Sequence, residues 1–74
     1  LNYHQKVPII SVDALVASNL ATSKREARQF IEDGAVQLNG EKETLDNRVL
    51  AQEDFKDGKA ILKRGKRNIV ALTL

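Results

Sequence analysis

The chain has 74 residues, twelve lysines and arginines against ten acids, a net charge of +2 and no cysteine. One small core is the most such a length supports, so this is a single domain, and the absence of cysteine excludes disulfides and thiolate metal sites and fits a reducing cytoplasm. No apolar run approaches the ~20 residues that span a bilayer.

The segment 1–8, closed by Pro8, reads as a linker or extended lead-in, and the domain proper as 9–74. A chain that opens on Leu1 and holds no methionine reads as a piece of a larger protein. Ser11 is placed to N-cap a short helix over about 12–19, with Val12, Leu15 and Val16 on one face, Asp13 in the first turn and Asn19 as the stop. Ser23 opens a second helix, and Glu26 three residues on completes an S-x-x-E capping box. At ~100° per residue Ala27, Phe30 and Ile31 share the core face. Lys24, Arg25 and Arg28 line one flank; Glu26 and Asp33 line the other. Gly34 suits the left-handed position that ends a helix.

Residues 35–38 alternate as a strand does, and Asn39-Gly40 is a hairpin signal. A loop with a helical turn near 52–55 is expected over 46–57. Two strands follow, 59–64 and 68–74, joined by a turn containing Gly65. The sum is an α+β fold: two short helices packed on a small, mostly antiparallel sheet.

Charge is unevenly spread. Residues 41–57 hold six acids and three bases, whereas 59–74 hold five bases and no acid. Catalysis has no visible carrier. His4, the single histidine, sits in the lead-in, Glu53 and Asp54 are adjacent acids in a polar stretch, and the four glycines form no phosphate-cradling loop. Cations at a helix N-terminus, by contrast, join side-chain charge to the helix dipole and suit phosphates. The bases from Lys63 to Arg67 supply a second cluster. Phe30 and Phe55 are assigned to the core and Tyr3 to the lead-in, so recognition should rest on backbone and shape, which suits structured RNA.

Ser23-Lys24, Ala27-Arg28, Ile31, Gly34, Val36 and Asn39-Gly40 resemble the S-K-x-x-A-R-x-x-I-x-x-G-x-V-x-V-N-G signature of the RNA-binding module first described in ribosomal protein S-four. Leu38 stands where a valine is usual. Asp57-Gly58-Lys59 and the run from Ile61 to Asn68 are similar to the final hairpin of the bacterial tyrosyl-tRNA synthetases. Together with Leu15-Val16 and Asn19-Leu20, this extends the resemblance over about 9–74. Ile69-Val70 occupy positions where members often carry an aromatic.

The resemblance implies a C-terminal, non-catalytic appendage that binds tyrosine tRNA at its long variable arm and toward the anticodon stem. RNA contacts would come from Ser23, Lys24, Arg25 and Arg28, from Lys63, Arg64, Lys66 and Arg67, and from the turn at Asn39 and Gly40. No cofactor is implied for this domain. The parent would use ATP in a separate catalytic domain and form a homodimer, and the isolated domain a monomer. Two alternatives stay open: the same module binding ribosomal RNA within a pseudouridine synthase or ribosome-associated protein, and a protein-interaction module using the acidic 41–57 segment.

Overall fold

A computed structural model describes residues 2–44 and 47–74. In chain order the elements are β1 (Asn2–His4), β2 (Ile9–Ile10), α1 (Ser11–Ala17), α2 (Lys24–Glu32), β3 (Val36–Leu38), β4 (Glu41–Lys42), β5 (Val49–Leu50), a 3-10 turn at Gln52–Asp54, β6 (Lys59–Arg64) and β7 (Asn68–Thr73). The main sheet has five strands in the order β1-β7-β6-β3-β4, antiparallel except for β1 beside β7. A second sheet pairs β2 with β5. Two helices on a mostly antiparallel sheet form the expected α+β fold.

The core follows from alternation. Val36, Leu38, Ala60, Leu62, Val70 and Leu72 point from the sheet toward the helices, where Val12, Leu15, Ala27 and Ile31 meet them. Phe55 closes one side of this cluster. Phe30, expected in the core, is only half-buried at its margin.

Local chemistry sets the element ends. The Ser23 hydroxyl accepts from the Glu26 N–H at 3.1 Å, which caps α2. The Glu26 carboxylate accepts from the Thr22 N–H at 3.0 Å, one residue upstream of the usual box partner. At the far end the Gly34 N–H reaches the Ile31 carbonyl and the Ala35 N–H the Phe30 carbonyl, a Schellman stop with Gly34 at φ 71°. Asn39 and Gly40 have φ 52° and 87°, both positive, as the two-residue hairpin turn demands. Asp57-Gly58 makes the same kind of turn, with φ 55° and 78°, and Lys56 and Lys59 exchange backbone bonds across it.

Two expectations need correction. Helix α1 begins at Ser11 and ends at Ala17, and its N-cap is Ile10, with no side-chain cap. Ser11 is buried inside the first turn, its N–H bonded to the Arg48 carbonyl at 2.8 Å, so tertiary pairing replaces the local cap. The segment expected as one loop supplies β5, which pairs Leu50 with Ile9 and Val49 with Ile10. The expected helical turn near 52–55 lies at Gln52–Asp54. The lead-in is extended: Asn2, Tyr3 and His4 pair with Ala71, Leu72 and Thr73, and the Gln5 N–H continues the ladder to the Thr73 carbonyl.

Candidate nucleic-acid interface

Helix α2 presents its basic flank as its periodicity requires. Ala27 and Ile31 are buried, and Lys24, Arg25 and Arg28 stand exposed to one side of them. Lys24 Nζ lies 3.3 Å from the Asp13 carboxylate of α1, with both groups well solvated. An exposed pair of this kind contributes little to stability, so it leaves the ammonium open to exchange partners. Lys24 and Arg28 also line a shallow cleft of about 150 Å³ with Ile10, Val12, Asp13 and Asn47.

The placement of these cations runs against helix stability. The first turn of a helix carries a partial positive charge, so acids are favoured there and lysine or arginine is not. Lys24 and Arg25 occupy the first two helical positions. An anion bound at this end would reverse the sign, meeting the side chains and the dipole together.

The β6–β7 turn is the second basic element. Lys66 and Arg67 are exposed at its tip. The turn is pinned to the end of α2 by the Gly65 N–H, which donates to the Ala35 carbonyl at 2.8 Å. Arg64 points toward the helix layer and lays its guanidinium over Phe30, 4.7 Å from the ring centroid. Its Nε is buried without an acceptor among the described residues. Lys63, next along the strand, points to the opposite face, where it neighbours Gln37 and Ile69.

The ten residues singled out from the sequence therefore do not form one patch. Lys24 and Arg28 line the cleft against α1, Arg25 is exposed beside them in the first turn, and Ser23 caps the helix. Phe30 and the Arg64 stacked on it lie across the buried Ala27–Ile31 stripe, on the other flank. Asn39 and Gly40 are at the end of β3 away from Gly65. The Asn39 side chain is committed internally: its amide donates to the Asp54 carbonyl at 2.9 Å and its oxygen accepts from the Ile61 N–H at 2.9 Å.

One charged cluster escaped the sequence reading. Arg48 donates to the buried Glu43 carboxylate at 3.3 Å and to the Asp54 carboxylate at 3.0 Å. Asp54 in turn accepts from the Ala51 N–H at 2.8 Å. Two of the acids in that segment, Glu43 and Asp54, are thus engaged within it, while Glu41, Glu53 and Asp57 are exposed. Asp46, also counted in that segment, lies outside the described residues. The available signal was a lone arginine flanked by acids five residues before it and six after.

Two helices on one face of a small sheet, with cations exposed at a capped helix start, define a small α+β module with a cationic outer flank. The chain belongs to the tyrosine–tRNA ligase SYY-like C-terminal domain family, whose model matches residues 3–72. The tyrosine–tRNA ligase of Dechloromonas aromatica is 52% identical over 58 residues, 77% of this chain and 14% of that one. Tyrosine–tRNA ligase 1 of Bacillus subtilis is 44% identical over 63 residues, covering 84% of this chain and 15% of its own. The ligase of Clostridium beijerinckii is 38% identical over 64 residues, or 86% and 16%. The chain spans about a sixth or less of the length of these relatives.

Proposed function

We propose that this domain binds structured RNA, specifically tyrosine tRNA at its long variable arm and toward the anticodon stem, as the C-terminal appendage of a tyrosine–tRNA ligase. Chemistry, with ATP, belongs to a separate catalytic domain of the longer protein. The observation that carries the reading is the exposure of Lys24, Arg25 and Arg28 together at the start of α2, beside a cleft. Cations placed against the helix dipole are unfavourable alone and favourable once a phosphate arrives.

Contacts of this type read phosphate position and helix shape instead of base edges. The domain would then contribute affinity and orientation, with a strong dependence on salt. The family relationship supports tRNA over ribosomal RNA as the partner. The engagement of Glu43 and Asp54 by Arg48 weighs against the acidic segment as a docking surface.

An NMR titration with tyrosine tRNA, beside a tRNA lacking the long variable arm, at two salt concentrations tests this. Shifts centred on 23–28, stronger for tyrosine tRNA and weakened by salt, are expected. Equal response to both RNAs would reduce the reading to general RNA binding. No response at low salt would overturn it.

A further inference from the structure

The main sheet has a second face, and nothing in the described residues covers it. The helices pack on the side of Ala60, Leu62, Val70 and Leu72. Register and alternation send Lys59, Ile61 and Lys63 of β6, Ile69 and Thr73 of β7 and Gln37 of β3 the other way. Ile61 and Ile69 are 41% and 45% exposed, high for residues in the middle of paired strands.

Charge on this face has a single sign. Strands β1, β3, β6 and β7 contain no aspartate or glutamate, and Glu41 of β4 pairs with Leu38, on the helix side of the sheet. Lys59 and Lys63 bracket Ile61, about 13 Å apart along β6. Lys63 sits directly across from Ile69, and Ile61 is diagonal to it, so the two isoleucines form a small apolar centre between the lysines. Gln37, Thr73 and the β1 residue Asn2 add neutral hydrogen-bonding groups around it.

We propose that this open face is a second RNA-contacting surface, seated in the wide, shallow minor groove of an A-form stem. The inference rests on the RNA-binding reading above and adds a surface remote from α2 to it. Lys59 and Lys63 meet phosphates, Gln37 and Thr73 reach ribose hydroxyls, and Ile61 and Ile69 cover the sugar surface between. A shallow groove suits a broad sheet face, whereas the deep major groove of RNA admits no such surface. A protein partner is the poorer fit, because the face offers no aromatic or arginine anchor of the kind that dominates protein interfaces.

The test compares three forms of the chain against a tyrosine tRNA transcript over a range of salt: wild type, the pair Lys59→Gln with Lys63→Gln, and Arg25→Glu. Lys59 is exposed and Lys63 half-buried, and amide dispersion in the NMR spectrum verifies that each form is folded. The sheet pair is expected to weaken binding about tenfold and to flatten the plot of log affinity against log salt by between one and two. The Ile61 and Ile69 methyl signals of the wild type should shift on titration. An unchanged slope with unmoved methyls, while Arg25→Glu still weakens binding, overturns the sheet-face inference and leaves the α2 reading standing. Shift of those methyls on adding the ligase's catalytic portion in place of RNA would also overturn it. Failure of the wild type to bind at low salt overturns both.

Discussion

Helix α2 and the segment 43–55 are both densely charged, and they use charge in opposite ways. In the segment, Arg48 is shared between Glu43 and Asp54, and Asp54 holds the Ala51 N–H while its carbonyl holds Asn39. At the start of α2 the cations stand exposed, and the ion pair of Lys24 with Asp13 is solvated. Charge in the first region closes a loop; charge in the second faces outward. The number of charges does not separate the two. How far the fold takes a pair out of solvent does: Glu43 is buried beside Arg48, whereas Lys24 and Asp13 stay solvated at the same 3.3 Å.

Substitutions should separate the regions by what they damage. The largest effect is expected from Asn39→Ala. It removes two side-chain hydrogen bonds and places a β-carbon residue at φ 52° without the local bonding that makes asparagine tolerable there. A loss of about 2–3 kcal/mol in unfolding free energy is expected by urea denaturation. Next comes Arg48→Ala, which leaves the buried Glu43 carboxylate without this partner. Removing one member of a fully buried pair costs about 3–5 kcal/mol; Arg48 is partly exposed, so about 2 kcal/mol is expected. RNA affinity of the folded fraction should not change in this variant. A loss of affinity without loss of stability would erase the contrast between the two regions.

Ser23→Ala should cost about 1 kcal/mol, since it removes the cap bond to the Glu26 N–H. Because it loosens the turn that carries Lys24 and Arg25, affinity should fall modestly as well, by a few-fold in the same titration. An unchanged thermal midpoint would show that Glu26 and Thr22 hold the helix start without it.

Short-range chemistry was readable where one or two residues decide the geometry. Ser23 with Glu26 located the start of α2, Gly34 its end, and Asn39-Gly40 the β3–β4 turn. The β6–β7 hairpin followed from alternation about Gly65. The β2–β5 pairing was hidden because its strands have two residues each and lie about forty apart, too short for a periodic signal. Ser11 looked like a cap, but its N–H finds Arg48, a partner that no local pattern reveals. The basic residues were readable as a list. Their division among a helix flank, a turn tip and a sheet face was not, because it depends on strand register and on the Phe30–Arg64 stack.

The most direct measurement is Arg25→Glu, followed by urea unfolding and by binding to tyrosine tRNA at several salt concentrations. Glutamate at the second helical position favours the dipole, so stability should rise by about 0.3–0.5 kcal/mol. RNA affinity should fall about tenfold or more, with a salt dependence shallower by about one contact. Opposite signs for stability and binding are what an outward-facing, partner-directed cation predicts. Unchanged affinity and salt dependence in a folded variant would contradict the account.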